Sequence, residues 1–263
     1  SVPGGEKWRL SPGGARQGWD WVPVKNPGQY TATVFRRFAK DLGMELPIPA
    51  PRQAPADAAN LVEHHSPFLS TLVDKALEFS NNLWTELIGM TAASRAAGGP
   101  LTSAQAGEGL SRWYAQNLPN IDWNGFHLAN SSGLASASRS TPAQMVEILK
   151  FGERTEVGEK MYLSLLPISG WKGTLHNKLN SPSTALRVWA KTGTINYGKA
   201  LAGYLFSANG RRLAFAAFVS DIDKRRQFDQ ARLMHGSGGM TTGWNGRAGG
   251  LIYALVENWI RRE

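Results

Sequence analysis

Cysteine is absent from the 263 residues. That absence removes disulfides, thiolate zinc sites and cysteine nucleophiles in one step. It fits an exported bacterial protein without proving export. No apolar run reaches the ~18 residues that a membrane helix needs, so no membrane span is expected. The opening Ser1-Val2-Pro3-Gly4-Gly5 has neither a basic n-region nor an apolar h-region, and no signal peptide is read there. Nor does the chain start with Met, so the expectation is a processed product or a piece of a longer chain. Acidic residues are fewer than basic ones, 20 against 29, for a net charge of +9. The excess is scattered over Arg36-Arg37, Arg211-Arg212, Lys224-Arg225-Arg226 and Arg261-Arg262. A nucleic-acid ligand would call for a concentrated stripe or a recognisable motif. Neither is visible, so the basic residues read as a solvated surface, compatible with a modest attraction to an anionic polymer such as a cell wall.

What is present is enough for a core. Hydrophobic residues make up 42% of the chain, and the length fits one large domain, or one domain plus a fragment of another. Residues 1–29 are rich in Gly, Pro and Trp; Trp8, Trp19 and Trp21 lie among polar residues, which suggests short strands and turns. Tyr30 to Gly43 has apolar residues at helical spacing and a glycine stop. Residues 44–60 hold four prolines and read as a linker or extended crossing segment. Ser66-Pro67 signals the start of a second helix that runs to Ser80. Further helices are expected at about Leu83–Ala97, Thr102–Leu118 (Leu110, Trp113 and Tyr114 inward), Thr141–Lys150, Val157–Leu166 and Leu251–Arg261. Val188–Thr194, Leu201–Ser207 and Arg211–Val219 read as strands, with Asn209-Gly210 a two-residue hairpin signal between the last two. Helices in the middle, an antiparallel hairpin and a closing helix predict an α+β domain.

Two polar clusters interrupt apolar elements. Lys191-Thr192-Gly193-Thr194 sits on a predicted strand edge. Lys191 supplies a cation, Thr192 a hydroxyl for a substrate carboxylate, Gly193 room for a substrate along the strand, and Thr194 a backbone N–H for an oxyanion. An ordinary exposed strand edge carries the same residues equally well. Ser80-Asn81-Asn82 ends the second helix. The Ser80 hydroxyl can pass a proton and the Asn82 amide can orient a substrate, if a turn brings both to one cleft; capping of a helix end is the plainer reading. His64-His65 point apart on a regular element and lack a third ligand at metal spacing, so no metal is expected. Asp221 and Asp223 read as surface acids facing Lys224 or Arg225. Of the ten tryptophans, most read as core, with a sugar-stacking platform as the other use.

The order of segments is more specific than either cluster. Glu63-His64-His65-Ser66-Pro67, Ser80-Asn81-Asn82-Leu83-Trp84-Thr85-Glu86-Leu87, Asn130-Ser131-Ser132-Gly133-Leu134, Ser140-Thr141-Pro142, Leu166-Pro167-Ile168-Ser169-Gly170-Trp171-Lys172-Gly173-Thr174-Leu175 and Lys191-Thr192-Gly193-Thr194 follow one another. This set resembles the D-alanyl-D-alanine carboxypeptidase/endopeptidase family of low-molecular-mass penicillin-binding proteins with a large insert between the first two motifs. The resemblance covers roughly residues 28–235. It implies the fold of serine β-lactamases, an antiparallel sheet with packed helices, here incomplete at the N-terminus. Residues 1–29 would be the tail of an inserted domain or a linker, and 30–263 the C-terminal part of the transpeptidase-like domain. It implies Ser80 and Asn82 as the second motif and Lys191, Thr192 and Gly193 as the third. It further implies a periplasmic, metal- and cofactor-independent hydrolase of peptidoglycan stem peptides that works through an acyl-serine and is acylated by β-lactams.

The nucleophilic Ser-x-x-Lys of that family is missing from residues 1–79. The one match, Ser169-Gly170-Trp171-Lys172, lies after the second motif and carries a glycine that disfavours the helical turn such a motif needs; Ser169 reads as a loop residue. Asn130 and Ala135 stand where relatives more often have Asp and Ser. The expected sources of the gap are an N-terminal portion in another segment or chain, a truncation, or a degenerate homologue. The competing functions are a non-catalytic peptidoglycan-binding or scaffold protein on this fold, and a hydrolase of β-lactams or esters.

Overall fold

The computed structural model describes residues 24–235 and 241–263, which form two compact units divided at His65/Ser66. Trp8, Trp19 and Trp21 lie outside the described residues. In the first unit α1 spans Pro27–Asp41; the Asn26 side chain caps it at Gln29 N, and Pro27 occupies its first turn. The proline-rich segment that follows has no regular structure and is tied to α1 by Gln29 Nε2 to Pro49 O (3.0 Å) and Arg36 Nε to Leu46 O (2.8 Å).

The second unit begins with helices. These are α2 (Leu69–Phe79), α3 (Asn82–Ala97), α4 (Ser103–Asn117) and α5 (Pro142–Glu153). The Ser66-Pro67 start is not used. Phe68 precedes α2 with no side-chain cap, so the helix begins at Leu69 and not at the expected Pro67. The Thr102 and Thr141 starts hold, each as a capping box with Gln105 or Gln144. Leu110 and Tyr114 are partly buried, but Trp113 is 38% exposed, its ring edge-on to Tyr114 and Phe151.

The expected helix at Val157–Leu166 is instead a small hairpin, β1 (Glu156–Val157) with β2 (Lys160–Met161), followed by one 3₁₀ turn at Tyr162–Leu165. Gly158 at φ +64° turns the hairpin, which a helix would not allow.

β3 (Val188–Ile195), β4 (Gly198–Phe206) and β5 (Arg212–Ser220) form an antiparallel sheet in that order. The β4–β5 reversal is not a two-residue turn. Ser207 N still bonds Arg211 O (2.9 Å), and Ala208-Asn209-Gly210 makes the bend with Gly210 left-handed at φ +79°. Two helices close the unit, α6 (Ile222–His235), which the sequence reading did not foresee, and α7 (Thr242–Arg262), which begins well before Leu251.

The sheet is buried on both faces. Val188, Ala190, Leu201, Leu205, Phe215 and Ala217 pack with Ile252, Val256 and Ile260 of α7. On the other face Tyr204 packs with Leu149 of α5 and Leu166, and its hydroxyl donates to Leu149 O at 2.6 Å. Alternate residues of β4 thus feed two cores, as the two-residue period of a strand requires. β3 and β5 are the border strands among the described residues. No helix is long and apolar enough to cross a membrane among the described residues.

Candidate active site

The Ser80 triplet is a joint between two helices. Ser80 terminates α2 in the left-handed conformation (φ 54°, ψ 47°), and the Asn81 side chain caps α3 by accepting from Trp84 N at 3.1 Å. A non-glycine residue in that region is uncommon. Here, with Asn81, it directs the chain from one helix into the next within two residues. Asn82 then opens α3, exposed and without a side-chain hydrogen bond among the described residues.

Lys191 reaches this joint from β3. Its Nζ donates to Ser80 Oγ at 2.9 Å across 111 positions of sequence, and to Thr192 O at 2.7 Å. Burial, and then the charge of Lys178, hold the Lys191 ammonium down to about 8. Lys199 is depressed by the same two causes. It stands opposite Thr194 in the β3–β4 register and donates to Thr194 Oγ1 at 2.7 Å. Thr192 Oγ1 donates to Thr174 Oγ1 at 2.9 Å, from a 3₁₀ turn (Gly173–Leu175) anchored by the fully buried Leu175.

The border of β3 is covered only in part. Pro167 O accepts from Ala190 N at 2.9 Å, and Ile168 bridges Trp189. From Lys191 onward no third strand pairs with that border among the described residues. The result is a polar ledge of hydroxyls and cations next to Ser80, able to receive a carboxylate and an extended peptide.

Ser169 does not join the site. It is fully buried, its Oγ donates to Thr184 O (2.8 Å) and accepts from Val188 N (3.1 Å), and Gly170 beside it is left-handed. Lys172 is ion-paired with Asp74. The Asn130–Gly133 segment is held to α3 by Glu86, whose carboxylate accepts from Ser131 N (3.1 Å), Ser132 N (2.8 Å) and the Ser103 hydroxyl. Burial pushes that carboxyl up, but the bonds from Ser103, Ser132 and Ser131 outweigh it and leave its pKa lowered.

His65 meets only Glu63, at 3.6 Å, and no metal-holding group of side chains occurs among the described residues. Asp221 pairs with Lys224 (3.1 Å) and Asp223 with Arg226 (3.5 Å). The sequence reading missed three contributors: Thr174, Lys178 and Glu86. Thr174 and Glu86 lie in segments that carried the resemblance, so each had a signal; a lone Lys gives none.

The antiparallel sheet packed between α5 and α7 is shared with solved penicillin-binding protein structures. The crystal structure of penicillin-binding protein 4 from Haemophilus influenzae superposes with a TM-score of 0.69 over 90% of this chain and 50% of that one, at 23% identity. Its complex with a β-lactam gives 0.66. The chain belongs to the D-Ala-D-Ala carboxypeptidase 3 (S13) family, whose sequence model matches residues 12–237. It is 29% identical over 202 residues to the D-alanyl-D-alanine carboxypeptidase DacB of H. influenzae, covering 75% of this chain and 41% of that protein. It is 30% identical over 196 residues to the penicillin-sensitive carboxypeptidase A of Dictyostelium discoideum, covering 70% and 35%. The chain therefore spans less than half the length of these curated relatives.

Proposed function

We propose that this chain is part of an exported, periplasmic serine-type D-Ala-D-Ala carboxypeptidase/endopeptidase that binds penicillin and acts on peptidoglycan stem peptides. The observation that carries the reading is the 2.9 Å contact between Lys191 Nζ and Ser80 Oγ. In this mechanism a serine hydroxyl outside this chain attacks the penultimate carbonyl and forms an acyl-enzyme. Ser80 relays a proton to the leaving D-Ala amine. Lys191 stabilises the developing charge on Ser80, and its depressed pKa eases proton exchange at the same contact. Thr192 and Thr194, with the Lys199 charge behind them, hold the terminal carboxylate. Gly193 lets the peptide lie along β3, and the free amide of Asn82 orients it. Water then releases the acyl group. No step calls for a metal or cofactor. In this reading residues 1–29 are the tail of an insert or a linker.

A binding or scaffold role on the same fold is the second reading, favoured by the burial of the one Ser-x-x-Lys serine, Ser169. Two measurements separate them. Incubation of this chain alone with benzylpenicillin should give no stoichiometric covalent adduct by mass spectrometry; an adduct would mean that the nucleophile lies within it. When the chain is joined to a family Ser-x-x-Lys segment, penicillin acylation should appear. It should drop by roughly 10²–10⁴-fold in Ser80→Ala and Lys191→Met, the size expected for losing acid–base help. Unchanged acylation in both variants would remove the catalytic reading.

A further inference from the structure

Trp171 is 65% exposed, while the backbone of its turn is held by several hydrogen bonds. Ser169 is buried on one side of it. Trp171 N and Lys172 N both donate to Ile168 O (3.1 and 2.9 Å), and Trp171 O is bonded by His176 Nδ1 at 3.0 Å. Gly173, left-handed at φ +64°, brings the turn so close to α2 that a Cβ there would lie 3.0 Å from Glu78 O. The turn thus holds an indole out in water, where it gains nothing from burial. Between the turn and α2 lies a groove of about 850 Å³. That is within the roughly 300–1,000 Å³ of small-ligand sites. Phe79, 68% exposed, lines it as well.

The charges in the groove cancel. Asp74 lies between Lys172 and Lys75 (4.0 Å to Lys75), and Lys75 pairs with Glu78 at 2.8 Å. Two acids and two lysines leave the groove with no formal net charge from these four side chains to select an ionic ligand. They do leave hydrogen-bonding capacity, including Glu78 Oε1, which has no partner among the described residues. A purely apolar partner would meet a charged floor. A pyranose has one face of C–H groups for an aromatic ring and a rim of hydroxyl and amide groups for paired donors and acceptors. Thr174 lines this groove and bonds Thr192, so the groove opens beside the ledge assigned to the peptide carboxylate.

From these observations we infer that the groove between α2 and the Ile168–His176 turn is a saccharide subsite, with Trp171 as its stacking platform, for an N-acetylated amino sugar of the glycan strand. The inference rests on the peptidoglycan reading above. A five-residue stem reaches at most about 18 Å, which keeps sugar and reacting peptide on one side of the molecule.

The test is titration of this chain with N-acetylglucosamine tetramer, followed by calorimetry and tryptophan fluorescence. Saturable binding should appear, weaken at least tenfold in Trp171→Ala, and return in part in Trp171→Phe. Circular dichroism should show both variants folded, since the side chain is exposed. Lys191→Met should keep the sugar affinity, so a failed catalytic reading and a failed subsite are told apart. No saturation at millimolar sugar, or equal binding by wild type and Trp171→Ala, would overturn the subsite. So would Trp171-dependent binding of oligolysine or polyglutamate in place of the sugar.

Discussion

Burial sets the chemistry of Lys191. Its ammonium is held down to about 8, by burial first and by Lys178 second, below the ~10.4 of a free lysine. The unfolded chain therefore binds more protons than the folded one between those values, and this residue makes stability rise with pH there. Below pH 8 the folded state carries the full penalty. Lys191→Met should accordingly raise the melting temperature at pH 7, and the gain should shrink as the pH approaches 10; a gain independent of pH would contradict the assignment. Ser169→Ala should cost about 1–3 kcal/mol, because the buried Val188 N–H loses its acceptor; urea unfolding measures it. Ser80 and Lys191, which the structure brings together, stood out as candidates because Ser-x-Asn and Lys-Thr-Gly are compact words. Their contact was not legible, since nothing local in either word specifies a partner 111 positions away. The Thr192–Thr174 contact was illegible for the same reason, although Thr174 lay in a segment that carried the resemblance.

Elements whose ends are written in side chains were the ones legible in advance. α3 stops at Gly98 in the left-handed conformation, and α4 and α5 begin with capping boxes at Thr102 and Thr141. Thr141→Ala should cost about 0.5–2 kcal/mol by the loss of its bond from Gln144 N, read from thermal or urea unfolding. Elements without such marks were misplaced or missed. α2 starts with no side-chain cap, so Ser66-Pro67 was a false lead. α6 carries Asp223-Lys224-Arg225-Arg226 and few apolar residues, so its period was invisible; its ion pairs, such as Arg225–Asp229 at 2.7 Å, lie at helical spacing. Glu86 ties α3 to the 131–132 backbone. Glu86→Gln should raise proteolytic cleavage near Ser131 and Ser132 while leaving helix content unchanged; equal cleavage rates would show that the tie is dispensable.

For the whole molecule, the α+β class followed from the order of elements, whereas the sheet's two-faced burial needed coordinates, because β4 feeds both cores. Large apolar side chains other than the groove residue Phe79 remain exposed on either side of Ser80: Leu69 54%, Leu83 65% and Leu87 52%. A patch of this kind marks an interaction surface. Leu83→Lys with Leu87→Lys should reduce self-association in sedimentation without lowering the melting temperature. The outer border of β5 has a related consequence. Along an antiparallel border strand every second amide points away from its neighbour. Deuterium should therefore enter β5 in an alternating pattern, fast at one residue and slow at the next, while β4 between its two partners stays uniformly slow.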